Sequence, residues 1–289
     1  MKRTILITGA TGNIASYIFP QVIDKGVNVR AFVRSGAKTE HLRRMGVEIF
    51  EGDYLDQVSL MTAVNNVDTV LSITPSNSNA VAQASSVTKL SKQAGVKHII
   101  RISAIGAAKD APTDNGRLHF ETDSEIIGSG LPYTILRSSF YMQVLLSSAT
   151  SIKETGKLYW AMGDGKVGMI DVRDIADCAA SLLLNGGHQN EILSPTGASS
   201  VSFSEVAKII STAIKRPVEY VPTQPEDTYE AIKSATGDIW LAEVLRDYSK
   251  AYSANWGNYV TEDVKKLTGH KARSFQQFAD EVMYPLLVD

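Results

Sequence analysis

The sequence predicts an α/β fold, a doubly wound parallel sheet followed by a smaller C-terminal α/β lobe. Three observations carry that expectation. The chain opens on an apolar run, Ile5-Leu6-Ile7, that passes through Thr8-Gly9-Ala10-Thr11-Gly12 into a helical pattern. Short apolar runs then alternate with helical stretches as far as Arg137, as βαβ units do around a sheet buried on both faces. From Thr155 onward the strand-like runs become shorter and turn-rich. The expected division is a sheet domain at 1–154, to which 171–194 returns, and a second lobe mainly at 155–289.

The opening stretch, ILITGATGNIA, reads as a buried strand, a tight turn and a helix running from Gly12 through Tyr17, Ile18 and Val22. Gly9 and Gly12 let the backbone turn sharply and approach an anion, where amide hydrogens and a helix N-terminus favour a pyrophosphate. A glycine pattern alone is weak evidence, but its position between the first strand and helix of a βαβ unit gives it weight. Ala15 takes the third place of G-x-x-G-x-x-G, where glycine permits close helix–strand packing; one extra methyl weakens the motif without removing it. The expected architecture is thus a Rossmann-type dinucleotide-binding domain. The alternative is an ordinary α/β turn, or such a fold that has lost its cofactor.

The second strand is Val27–Val33. NAD-binding versions of the fold place an acid near its end to bond the adenosine ribose. Here the region holds Arg34, with Arg30 and Lys38 nearby, and no carboxylate between Asp24 and Glu40. A cationic strand end suits a 2′-phosphate, so NADP(H) is expected in preference to NAD(H); the competing reading makes Arg34 a solvated charge. The third strand, 47–53, ends at Asp53, placed either to bond an adenine amino group or to cap the helix of 55–64. The fourth, 68–73, leads into Thr74-Pro75 and a small polar segment at a strand's carboxyl end, where open α/β sheets bind ligands.

After a helix at 80–94 comes a fifth strand, 96–103, with Ser103 at its functional end. A loop to 115 and a helix at 117–127 follow; His119 and Asp123, four apart, share a face of that helix. The next strand is 131–137, with helical character over 140–149. Short strands at 155–160 and 163–168, a helix at 171–184 and a strand at 190–193 come next. Ser202-Phe203-Ser204-Glu205 is a capping-box start for the helix at 206–213. A strand at 218–221 ends at Pro222, and the remainder is mainly helical.

The bulk properties exclude several classes. The charge balance is −2, with 29 Lys plus Arg against 31 Asp plus Glu, and no block of either sign supports nucleic-acid binding. No signal-peptide core or membrane-length apolar run is seen, and the single cysteine, Cys178, excludes an intrachain disulfide; a cytoplasmic protein, monomer or homodimer, is expected. The five histidines lie outside any metal-ligand spacing, and G-x-S-x-G is absent. His119 is the candidate proton donor or acceptor, oriented by Asp123, with Ser103 a candidate substrate contact. Structural roles compete for all three: loop anchoring for His119 and Ser103, a plain helix-surface acid for Asp123.

The segments ITGATGNIA, AFVRS, EGDYLD, AGVKHIIRIS, HFETD, GLPYTILRSSFY and GKVGMIDVRDIAD together resemble the NmrA-like family of atypical short-chain dehydrogenases/reductases. They are similar in particular to its bacterial NAD(P)H:quinone oxidoreductase and triphenylmethane reductase members. The resemblance implies a substrate cleft between the lobes, with Gly9, Thr11, Gly12, Asn13 and Ile14 at the pyrophosphate and Arg34 at the adenosine end. It implies Thr74 and Pro75 near the nicotinamide ribose, and Ser103 where the wider superfamily keeps its active-site serine. The Tyr-x-x-x-Lys pair of conventional members is missing; His119 and Asp123 occupy that place. Its loss argues against ketone–alcohol chemistry and fits hydride acceptors that need little acid help, such as quinones. The alternatives are reduction of an imine, enone or cationic dye, and a non-catalytic NADP(H)-binding redox sensor, since such regulators also lack the pair.

Overall fold

The computed structural model describes residues 2–36, 39–75 and 77–288. In chain order, the first part holds β1 (Arg3–Ile7), α1 (Asn13–Val22), β2 (Val27–Val33), α2 (Glu40–Arg44), β3 (Glu48–Glu51), α3 (Gln57–Val64), β4 (Thr69–Ser72), α4 (Ala80–Gln93), β5 (His98–Ala104), α5 (Asp114–Gly128) and β6 (Tyr133–Ser138). There follow a 3₁₀ helix at Met142–Ser148, α6 (Ala149–Thr155), β7 (Lys157–Trp160), β8 (Lys166–Val167), α7 (Val172–Asn185) and β9 (Glu191–Leu193). The chain closes with β10 (Val201–Ser202), α8 (Phe203–Ile214), β11 (Glu219–Pro222), α9 (Pro225–Thr236), α10 (Ile239–Ser253), α11 (Asp263–Thr268), α12 (Phe275–Phe278), a π-helical turn at Ala279–Met283 and α13 (Tyr284–Val288).

Seven strands form one sheet in the order β3-β2-β1-β4-β5-β6-β9. β1 pairs in parallel with β2 on one side and β4 on the other, through Ile7↔Ala31 and Ile7↔Leu71. The order grows outward from β1 in both directions, so the carboxyl ends of β1 and β4 form the switch point where such sheets open a crevice. Burial explains the choice of residues: Ile5, Leu6 and Ile7 are fully enclosed. Leu6, Phe32, Leu60, Val70, Val87, Ile99 and Ile126 pack into one cluster that joins the strands to their helices. The Rossmann-type α/β reading is therefore correct.

The chain divides into two compact units. The first comprises Met1–Lys109, Gly116–Arg137 and Ile175–Ser194; the second comprises Asp110–Asn115, Ser138–Asp174 and Pro195–Asp289. β9 enters the first unit's sheet alongside β6, pairing Leu193 with Leu136. In the second unit β7 pairs in parallel with β11, and β8 runs antiparallel to β10. Its core gathers Trp160, Met169, Phe203, Ile210, Tyr252 and Phe278. Ser202 and Glu205 close the expected capping box, but α8 begins at once, at Phe203. The stretch expected to be helical over 140–149 is a 3₁₀ turn that hands over to α6.

Candidate active site

The turn after β1 is built for close approach. Gly9 has φ +61°, and a Cβ there would lie 2.7 Å from the Ile73 carbonyl oxygen, so only glycine fits. Gly12 caps α1 without any side-chain hydrogen bond, and the first turn of the helix carries no acid. Its amide donates to Gly9 O at 2.9 Å. Thr11, Gly12 and Asn13 are exposed, while the Ile14 side chain is buried, leaving Ile14 only its backbone amide to offer. A helix N-terminus with unsatisfied amides beside a turn without Cβ bulk fits a pyrophosphate.

Two residues not singled out in the sequence hold that turn. The Thr8 hydroxyl lies 3.0 Å from Ile73 O and accepts from Ile73 N at 2.9 Å. Tyr54 donates its hydroxyl to Ile73 O at 2.9 Å. Together they lace the end of β1 to the end of β4. Both are near-silent in sequence, since a threonine before glycine and a tyrosine in a turn have many commoner uses.

Arg34 is exposed just beyond β2 and forms no ion pair with a described residue. Arg30, expected to add charge there, is committed elsewhere. It pairs with Glu48 at 2.8 Å, donates to Asn65 O at 2.6 Å and lies over the Phe50 ring at 5.0 Å. Lys38 lies outside the described residues. Asp53 is exposed and does not cap α3: its Oδ1 accepts from Leu55 N at 2.8 Å, whereas Asp56 is the cap, accepting from Val58 N at 3.1 Å.

The second constellation is assembled by β4, β5, α5 and β6. Arg101 and Ser103, two apart on β5, project to one face of the sheet. Arg101 is buried and donates to Thr74 Oγ1 at 2.9 Å; Pro75 follows in the same loop. Ser103 donates to Asp123 Oδ2 at 3.0 Å and lies 3.3 Å from His119 Nδ1. Arg137, from β6, donates its Nε–H to the same Asp123 oxygen at 2.9 Å. Ser103, His119 and Asp123 are thus brought together, but Asp123 reaches His119 only through Ser103. Because α5 starts at Asp114, His119 sits in its second turn and does not open the helix.

Burial sets the electrostatics. Asp123 has no exposed surface, and desolvation raises its pKa against the downward pull of Arg101 and Arg137. Its Oδ1 has no hydrogen-bond partner among the described residues. Desolvation, followed by the same two cations, brings His119 down to about 3, so the ring is neutral at pH 7. The sequence reading missed Arg101 and Arg137. Their signal was present: an arginine inside each apolar strand run, IIRIS and TILRS, which burial tolerates only when the charge is partnered.

Fold and glycine turn define a protein of the Rossmann-type α/β class. The NmrA-like family matches residues 1–279, and the chain belongs to it. It is 34% identical over 275 residues to the NAD(P)H azoreductase of Xenophilus azovorans, covering 95% of this chain and 96% of that protein. It is 30% identical over 269 residues to quinone oxidoreductase 2 of Escherichia coli (strain K12), covering 92% and 94%. The crystal structure of the NADPH-dependent quinone oxidoreductase of E. coli in complex with NADPH superposes with a TM-score of 0.88 at 28% identity, over 96% of this chain and 99% of that one. The chain is an oxidoreductase. No helix among the described residues is long and apolar enough to cross a membrane.

Proposed function

We propose that the chain is an NADPH-dependent reductase whose acceptor is a quinone or a similar electron-poor conjugated molecule. When bound, the reduced nicotinamide supplies the hydride. The backbone amides of Asn13 and Ile14, with Gly9, Thr11 and Gly12 shaping the turn, would hold the pyrophosphate. Arg34 would take the 2′-phosphate, and Asp53 the adenine amino group. Thr74, Pro75 and Ser103 would border the nicotinamide ribose.

The observation that carries the acceptor class is the burial and bonding of the cluster: Asp123 is fully enclosed and bound by Ser103 and Arg137, with His119 beside Ser103. His119 is neutral at pH 7, and Asp123 is committed to those two donors. Neither is a ready acid for a developing alkoxide, so simple ketones are disfavoured, whereas conjugated acceptors spread the incoming charge themselves. Relatives named for azo and quinone reduction act on molecules of that kind. The test is NADPH oxidation by the purified protein with a panel of quinone, azo dye, cationic dye, enone, imine and simple ketone. Stimulation by quinones with little by ketones is expected. Ketones turning over as fast as quinones would refute the acceptor class. Firm NADP(H) binding with no turnover of any acceptor would favour a redox-sensing regulator.

A further inference from the structure

We infer that Ser103 and Asp123 fix His119 as its Nδ1–H tautomer, so that Nε2 presents a lone pair to the ligand and receives an N–H or O–H donor. The hydrogen count leads there. Ser103 has one hydroxyl hydrogen, and its neighbours include Asp123 Oδ2 at 3.0 Å and His119 Nδ1 at 3.3 Å. A carboxylate oxygen has no hydrogen to return. If the hydroxyl turned to His119, two sets of oxygen lone pairs would face each other across 3.0 Å in a buried place. The hydrogen therefore goes to Asp123, and the contact with His119 requires a hydrogen on Nδ1.

Protonation of Asp123 does not reverse this direction. Its Oδ2 already accepts from Arg137 Nε–H at 2.9 Å, while Oδ1 has no partner among the described residues. An added proton settles on Oδ1, and Oδ2 stays an acceptor for both Ser103 and Arg137. The charged groups around the ring are Asp123 and Arg137 from α5 and β6 and Arg101 from β5, the last held by Thr74. Two cations beside the ring oppose the doubly protonated form, so the neutral tautomer persists. Nε2 has no hydrogen-bond partner among the described residues.

A lone pair at Nε2 repels a carbonyl oxygen and accepts from a donor. Two donors belong to the proposed chemistry: the carboxamide NH₂ of the nicotinamide, and the O–H of the reduced product. This last step rests on the reductase reading; the tautomer does not. Ser103 and Asp123 then act as positioning residues.

The experiment uses the full chain labelled with nitrogen-15 histidine, in two-bond proton–nitrogen correlation spectra at neutral pH, with His119 assigned by its loss in His119→Gln. A protonated Nδ1 and a pyridine-like Nε2 are expected in the unliganded protein. Asp123→Asn keeps this pattern, because an amide oxygen can take the place of Oδ2. Ser103→Ala removes the acceptor and shifts His119 toward the Nε2–H form. An Nε2–H signal in the unmodified protein, or an unchanged pattern in Ser103→Ala, would overturn the proposal. NADP⁺, its 3-acetylpyridine analogue lacking the amide NH₂, and a hydroquinone are then added in turn. Movement of Nε2 with NADP⁺ but not the analogue assigns the carboxamide; movement only with hydroquinone assigns the product. A fixed Nε2 while fluorescence reports bound cofactor refutes the acceptor role. A chain that binds no NADP(H) fails the reductase reading, and the tautomer is still judged in the unliganded protein.

Discussion

Alanine at Gly9 and alanine at Gly26 ought to differ in cost, and the difference measures how firmly the turn after β1 is locked to β4. Both glycines have positive φ, +61° and +78°. At Gly26 a Cβ meets nothing within 4 Å, so the change costs only the left-handed backbone, about 1–2 kcal/mol. At Gly9 the same backbone term applies, and the Cβ also lies 2.7 Å from Ile73 O and 3.0 Å from Ile73 Cβ. That carbonyl cannot retreat easily, because Thr8 and Tyr54 both donate to it. Overpacking against fixed backbone adds about 1–3 kcal/mol, giving roughly 2–5 kcal/mol in all. Urea titrations followed by circular dichroism would compare the two variants with the parent chain. If Gly9→Ala proves no less stable than Gly26→Ala, the turn is not pinned to β4, and the account of the cofactor cradle fails with it.

The remaining expectations concern the site more directly. Gly12→Val places branched bulk where a Cβ already lies 3.1 Å from Gly9 O, and should abolish NADPH binding, read by intrinsic fluorescence, while circular dichroism shows a folded chain; normal affinity would put the phosphates elsewhere. NADPH should bind several-fold more tightly than NADH, and Arg34→Ala should erase the difference; an unchanged ratio would remove Arg34 from the site. His119→Ala should slow turnover of a slow quinone by about 10-fold, where loss of a general acid costs about 10²–10⁴-fold; a drop in the larger range with intact cofactor affinity would make His119 an acid. Stability should fall as pH drops from 6.5 toward about 3, because the unfolded imidazole takes a proton there and the native one does not. His98, lowered by burial and Arg3, adds to that slope, and Asp123, raised by burial, opposes it at its acid end. His119→Gln should flatten the slope, and an equally steep profile would contradict the neutral buried ring.

The architecture was legible because it is written in local pattern. Ile5-Leu6-Ile7 before a glycine turn, and further apolar runs between helices, give the parallel sheet with little ambiguity. The capping box at Ser202 was equally readable, since both partners lie within four residues. What local pattern does not encode is which oxygen a charge meets. Arg30 in the second strand and Arg34 just beyond it look alike, yet the first meets Glu48 on β3 and the Asn65 carbonyl after α3 while the second stands in solvent. Asp53 and Asp56 compete for one helix cap, and three residues of backbone geometry decide it. The His119–Asp123 spacing signalled a shared helix face, but Ser103 between them, and Arg137 behind, come from β5 and β6, the strands before and after that helix, whose side-by-side pairing no local spacing reveals.

The central claim is tested most directly in a single turnover. The protein is loaded with NADPH, or with NADPH deuterated at the transferring carbon, and mixed rapidly with a slow quinone in the absence of oxygen. The account expects quinone-dependent oxidation of the bound cofactor, slowed by deuterium and abolished in Gly12→Val. Bound NADPH that stays reduced with the quinone and with every other conjugated acceptor would contradict it.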